Sequence, residues 1–457
     1  LTLKLPFEGH EQVKEYILDG GRPQLTSKEL LYPSNIIDLM IVCWSQHSAD
    51  RPSSSQLVSI TTAPEFAHML DVVSLNSSDA AIVAGEAFMI DDFVTCDDSS
   101  SMGNQLDGET WLSRADGLVS ILSCNQNGWL DYKNVVLNEE SFVTSLCLVE
   151  DTIWMGELTG LVHIFCVKTY AEIGNFSMAP YVLPNDKSPR HQCSLRPVEM
   201  IHLPALKGVL ICINRPGSVL LCTISQALSG NTFDMASCIK SPQELGAISC
   251  CAAVLLRDMS YAVWCGHTAG YISMFNLENS SFKSSGSVNH YDPVIEGVEV
   301  SRLVSSPNNG RYVWSYIYPG CVLYQWDVNQ RSIISKLDCS KIAPCSESIN
   351  TLNIEERLNP GHCQVTSLTL VEKEECTQLY VGTTWGVLIV TEADQLKPIT
   401  AFRPHLDEIR VIVPINQQKR VNPFSIGRFS SSTNRNVGPS STTSANDEKS
   451  LKKSSQK

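Results

Sequence analysis

Long apolar runs are missing from the 457-residue chain. The longest, Ala247 to Leu256, falls well short of the ~18 residues of a membrane-spanning helix. No signal peptide opens the sequence, so it reads as soluble and cytoplasmic. Aromatic residues are few, at 7%, and charged residues make up only 18%. Cys-x-x-Cys pairs are absent although there are 17 cysteines; Cys147, Cys166, Cys212, Cys222 and Cys265 lie inside apolar runs. Small buried thiols explain that placement better than a disulfide framework does. His191 with Cys193 and His362 with Cys363 come nearest to metal ligands, but a structural zinc needs four ligands at matched spacings, so no metal residue is assigned. Positive charge is lacking in the body of the chain. Residues 416–457 hold eight Lys/Arg against Asp447 and Glu448, which leaves a net −20 on the rest. That excludes nucleic acid as a partner of the body, because phosphate binding needs a positive field.

What is present points to a turn-rich globular protein: 43% hydrophobic residues with 26 Gly and 22 Pro. The chain starts at Leu1 without Met, in text that reads as the interior of a larger protein. Residues 1 to about 67 carry helical periodicity. From Glu11, the positions of Val13, Tyr16 and Ile17 share a face, and Gly20-Gly21 supplies a left-handed stop. A second helix starts at Ser34, carries Ile36, Leu39, Met40 and Cys43, and ends near Trp44. A third follows Pro52, where Ser53 and Gln56 form a capping box and Leu57 and Ile60 supply the buried face.

Pro6-Phe7, Gly21-Arg22-Pro23, Leu39-Met40-x-x-Cys43-Trp44 and Arg51-Pro52-Ser53 are spaced as in the last helices of a protein-kinase C-lobe, and the segment resembles one. The resemblance implies that Met40, Cys43 and Trp44 are core, and that Arg51 pairs with the Glu of an Ala-Pro-Glu motif upstream of Leu1. The Gly-rich loop, the strand Lys, the His-Arg-Asp loop and the Asp-Phe-Gly metal ligand of a kinase do not occur here. No catalytic or cofactor-binding residue is therefore assigned.

Beyond Leu75 the period shortens and a pattern recurs. Trp154-Met-Gly156 is followed by Gly160 and Leu161 to Phe165; Trp264-Cys-Gly266 by Gly270 and Tyr271 to Phe275; Val381-Gly382 by Gly386 and Val387 to Ile389. Weaker copies centre on Gly117, Gly217 and Gly320, the last leading to Trp326-Asp327. Each copy is a strand pair around a turn whose second Gly takes positive φ. The turn glycines are 43, 57, 53, 50 and 66 residues apart, at or above the ~40–45 of WD40 blades. Six hairpins are visible. A seventh blade is expected from the strand Glu408 to Ile415 pairing with Leu70 to Phe93, closing the ring. His267 follows Gly266 but lies inside its hairpin, so it is not taken as a WD-repeat His. Acidic pairs such as Asp91-Asp92 and Asp97-Asp98 read as solvated loops.

The expected organisation is 1–67, the helical end of a kinase domain; 68–415, a WD40-type β-propeller; and 416–457, a basic Ser/Thr-rich tail with too few apolar residues to fold. Arg428-Phe429-Ser430 within it offers a basophilic phosphorylation context. A kinase end joined directly to a propeller, with the text from Gly21 to Thr26 and on to Phe66, resembles the leucine-rich repeat serine/threonine kinases of the Roco family. That resemblance implies ATP, Mg and GTP chemistry in domains upstream of Leu1 and none in this chain. It implies a propeller that binds protein partners, a homodimer, and peripheral contact with membrane or cytoskeleton. The competing reading is a free-standing propeller scaffold with a kinase-like relic.

Overall fold

A computed structural model describes Phe7, Leu25 and residues 11–23, 34–61, 81–90, 107–124, 130–135, 137, 141–183, 195–227, 230–290, 298–306, 310–342, 363–372, 376–404 and 408–414. Three helices come first, Val13–Leu18 (α1), Ser34–Cys43 (α2) and Ser54–Thr61 (α3). Their ends follow the sequence. Gly20 closes α1 at φ +88°, and the Gly21 amide donates to the Tyr16 carbonyl at 2.8 Å. Ser53 and Gln56 cap α3 reciprocally, the Ser53 amide donating to Gln56 Oε1 at 2.8 Å and the Gln56 amide to Ser53 Oγ at 3.3 Å. Arg22 ties the segment together through Trp44 O, Gly21 O and Gln46 Oε1. The expected core residues are only half-covered: Met40, Cys43, Trp44 and Leu57 are intermediate, and Ile60 is exposed. Arg51 donates to the Ser45 carbonyl rather than to a carboxylate.

The rest is β. Six four-stranded antiparallel sheets follow one another. The first is Ile82–Ile90, Asp107–Arg114, Val119–Cys124 and Leu130–Val135 (β1–β4); the second Val143–Val149, Thr152–Glu157, Leu161–Cys166 and Glu172–Ser177 (β5–β8). The third comprises Pro197–Leu203, Gly208–Ile213, Ser218–Ala227 and Gly230–Lys240 (β9–β12); the fourth Ile248–Leu255, Tyr261–His267, Tyr271–Glu278 and Ser281–Asn289 (β13–β16). The fifth is Glu299–Ser305, Tyr312–Tyr318, Val322–Asp327 and Ser332–Asp338 (β17–β20); the sixth Val365–Glu372, Thr377–Thr383, Leu388–Glu392 and Lys397–Phe402 (β21–β24). The six hairpins read from the sequence are the two central strands of these sheets. Five of the turn glycines, Gly117, Gly160, Gly217, Gly270 and Gly386, take positive φ; Gly320 does not.

First strands of successive sheets touch, as blades do around a ring axis. Trp111, Trp154, Trp264 and Trp314 fill the seams from the second strands with no more than 1% exposure. Two devices join neighbouring blades. Thr144, Ser249 and Thr366, each at a β-bulge of a first strand, donate their hydroxyls to the carbonyls of Pro197, Val300 and Ile409 at 2.7, 2.6 and 2.8 Å. The first glycine of each repeat makes room for those same residues. A Cβ on Gly156, Gly266 or Gly382 would stand 2.5, 2.7 and 2.7 Å from Pro197, Val300 and Ile409.

The expected seventh blade is corrected to six among the described residues. Ile82–Ile90, expected to pair with the Glu408 segment, is instead the first strand of the first sheet. Residues 408–414 belong to none of the sheets. Ile409 lies at the sixth sheet as Pro197 and Val300 lie at the second and fourth. Val411 and Val413 then pack where a Gly85 side chain would stand, bridging the sixth sheet to β1.

Candidate functional site

All six first strands carry a register shift near their start. A bulge re-aims the side chain that follows it. The residues after the shifts are Ala84, Ser145, Glu199, Cys250, Arg302 and Ser367. Sheets three and five thus place opposite charges at equivalent positions, with the small Cys250 of sheet four between them. Arg302 Nη1 donates to Glu199 Oε2 at 2.6 Å across that gap. Both side chains keep water-accessible area, 41% for Arg302 and 18% for Glu199, although protein surrounds them on all sides. Such a position fits the central channel that propeller blades surround in general.

A third charged residue, Glu86 on β1, joins the pair. Burial, and then repulsion by Glu199, push its carboxyl up to about 7; the Leu148 amide and Arg302 act in the opposite direction. Burial also raises Glu199, against the pull of Arg302. Glu199 in turn holds the guanidinium in its charged form. Two carboxyls therefore share one cation, and one of them changes charge near neutral pH. Cys250 and the Tyr316 hydroxyl beside them are raised by burial. The trio can accept a cationic group at the ring axis when Glu86 ionises. It offers no nucleophile and no phosphate-cradling loop.

A second polar constellation is buried in the fifth blade. His290, after β16, places Nε2 2.6 Å from Ser315 Oγ, and the Trp326 indole donates to the same oxygen at 2.9 Å. Ser315 Oγ, with one proton to give and two lone pairs, can serve the indole N–H and the imidazole together. Among the described residues Nδ1 has no partner, and burial pushes the ring down to about 4. The Trp-Asp dipeptide is local architecture: Asp327 accepts the amides of Asn329 and Gln330 and the Arg311 guanidinium.

Sequence reading missed Glu86, Glu199, Arg302 and His290. Glu199 and Arg302 each precede a repeat glycine, Gly217 and Gly320, by 18 residues; that equal spacing was the available signal. His267, discounted as a WD-repeat His because it lies inside its hairpin, is buried at the end of β14 and faces Ser273 Oγ at 2.7 Å. The strand-leading position belongs to His290. Among the earlier metal candidates, Cys363 is buried in the sixth blade, while His191, Cys193 and His362 lie outside the described residues, as do Asp91-Asp92 and Asp97-Asp98.

Comparison with known proteins agrees with this architecture. Residues 247–451 match the family described as the LRRK2 beta propeller, a stretch that takes in sheets four to six. Across 437 residues, 94% of the chain is 31% identical to the leucine-rich repeat serine/threonine-protein kinase 1 of Caenorhabditis elegans. The chain spans 16% of that relative's length. Family match and alignment meet on one architecture: the chain carries a β-propeller of the kind described for LRRK2 and is similar over nearly its whole length to one part of a leucine-rich repeat kinase.

Proposed function

We propose that this chain is the interaction module of a longer serine/threonine protein kinase, which transfers the ATP γ-phosphate to protein side chains through domains outside the 457 residues. The observation that carries the reading is the alignment of nearly the whole chain with a relative named as such a kinase. ATP, Mg and GTP belong, on this reading, to those other domains. So does the partner carboxylate of Arg51, because α1–α3 are then the last helices of the kinase domain.

The propeller contributes a rigid surface. Hydroxyl-to-carbonyl stitches and interdigitated glycines hold the blades in fixed relation. Loops at either end of the ring can then vary without disturbing the core. Protein partners, a second copy of the chain among them, are the proposed occupants, in a cytoplasmic setting with membrane or cytoskeletal contact. Among the described residues no helix is long and apolar enough to cross a membrane.

The test compares the 457-residue chain with the longer protein encoded at its locus. The chain alone is expected to bind neither ATP–Mg nor substrate, and the longer protein to phosphorylate Ser/Thr peptides. An upstream sequence without His-Arg-Asp and Asp-Phe-Gly motifs would favour the scaffold reading instead. Micromolar ATP binding by the 457-residue chain would overturn the assignment of catalysis to other domains.

A further inference from the structure

Three thiols converge where the third and fourth blades meet. Cys212 lies on β10, Cys251 on β13 and Cys265 on β14, and their sulfurs all lie within 4.8 Å of one another. Cys251 and Cys265 face each other directly in the β13–β14 register, with Sγ to Sγ 3.9 Å. Cys212 reaches them from the neighbouring sheet. Among the described residues this is the one group of three or more potential metal ligands. All described cysteines are free thiols.

The surroundings select what such a group can hold. Leu203, Leu210, Val219, Val263, Phe275 and Leu277 pack around the three sulfurs, each of which is at most 2% exposed. Oxygen-seeking cations find no ligands there. Zinc needs a fourth donor, and the nearby His267 is engaged with Ser273, Ser241 and the Gly246 carbonyl. With bonds near the ~2.3 Å of metal–thiolate contacts, three sulfurs around one pyramidal centre stand about 3.4 Å apart. The Cys251–Cys265 pair needs to close by about half an ångström, and the others by no more than about 1.5 Å. Charge then decides among soft ions. Three thiolates around a monovalent ion leave two negative charges in an apolar core, which is costly. Around a trivalent centre the complex is neutral.

We propose that Cys212, Cys251 and Cys265 form a tris-thiol site for a trivalent thiophilic metalloid such as arsenic(III). Loading is a ligand exchange without redox change. As(OH)3 meets three thiols; three As–O bonds break, three As–S bonds form, and each thiol proton leaves with a hydroxide as water. The seam between the third and fourth blades must open transiently to admit the reagent, so binding is slow and the product is trapped.

The 457-residue chain, reduced with a phosphine, is incubated with arsenite and read by intact mass under non-denaturing conditions. It is then unfolded in N-ethylmaleimide and the modified cysteines are mapped. The expected result is one arsenic per chain with loss of three protons, an ultraviolet sulfur-to-arsenic band, and protection of Cys212, Cys251 and Cys265 alone. Cys265→Ala is expected to abolish the adduct while keeping a β circular-dichroism spectrum. Should that variant misfold, the wild-type mapping decides by itself. An adduct that loses two protons, one mapped to other cysteines, or none after prolonged incubation would overturn the proposal.

Discussion

Ser315 serves two side chains that would otherwise be stranded in the interior, accepting from the Trp326 indole and sharing a hydrogen bond with His290 Nε2. Ser315→Ala leaves both without a partner, and each buried orphan costs about 1–3 kcal/mol. A loss of roughly 3 kcal/mol in denaturant unfolding is expected. The same site gives the fold an acid sensitivity. His290 drops from its ordinary 6.5 to about 4, so the folded state resists protonation while the unfolded state accepts it. Stability is therefore full above pH 6.5 and declines as pH falls towards 4, by up to about 3 kcal/mol at 1.36 kcal/mol per pH unit. In His290→Phe that part of the acid slope should vanish; an unchanged slope would remove His290 as its source. Glu86 has the opposite sign. Raised from 4.5 to about 7, it favours the folded state when protonated, and that contribution is lost as pH rises through about 7. Glu86→Gln should stabilise the propeller at pH 8 by about 2–3 kcal/mol and make little difference at pH 4.5. Equal effects at both pH values would show that packing, not charge, is what the substitution changed.

At the scale of the hairpin, two glycines with similar backbone conformations differ in what surrounds them. Gly160 (φ +90°) turns β6 into β7 and would place a Cβ 2.7 Å from the Leu195 Cβ, whereas at Gly217 (φ +76°) the nearest atom is 3.6 Å away. Ala at Gly217 therefore bears only the left-handed penalty of about 1–2 kcal/mol. At Gly160 it adds a clash with a fully buried leucine, worth roughly 1–3 kcal/mol more. Thermal unfolding of the two variants checks that order. These turn glycines were legible in the sequence because a positive φ selects a residue type locally. Gly156, Gly266 and Gly382 recur just as regularly, but their reason is a neighbouring blade, Pro197, Val300 or Ile409 pressing against the strand, which no local pattern reveals. Glu86, Glu199 and Arg302 were hidden for the same reason: ring closure brings together residues more than a hundred positions apart. The blade count went wrong at one strand, since alternation in Ile82–Ile90 marks a strand without saying which sheet it joins.

At the scale of the whole molecule, the helical start and the β body differ in how much they cover. All six blades contribute to clusters of side chains at or near zero exposure. By contrast Ile17, Leu18, Ile41, Val42, Val58 and Ile60 on α1–α3 keep 38–65% of their area in water. At ~25 cal/mol per Å² those uncovered faces forgo several kcal/mol, a large part of the ~5–15 kcal/mol that stabilises a domain. Short helices without tertiary cover are marginal in water. The helices should therefore exchange their amides within minutes in the 457-residue chain while β13–β15 stay protected for hours. If they are the end of a kinase lobe, extending the chain upstream to include that lobe covers the same faces, and residues 34–61 should gain protection of several orders of magnitude. Arg51 separates this outcome from a general stiffening. Among the described residues its guanidinium meets only the Ser45 carbonyl, at an exposed position, so Arg51→Ala should change the stability of the 457-residue chain little. In the extended protein, removing one partner of a buried ion pair should cost about 3–5 kcal/mol. Hydrogen exchange on both lengths, with and without the substitution, reads all four states. Strong and equal protection of residues 34–61 at both lengths would mean that the helices fold on the propeller side of the chain, and that their likeness to a kinase lobe says nothing about what covers them.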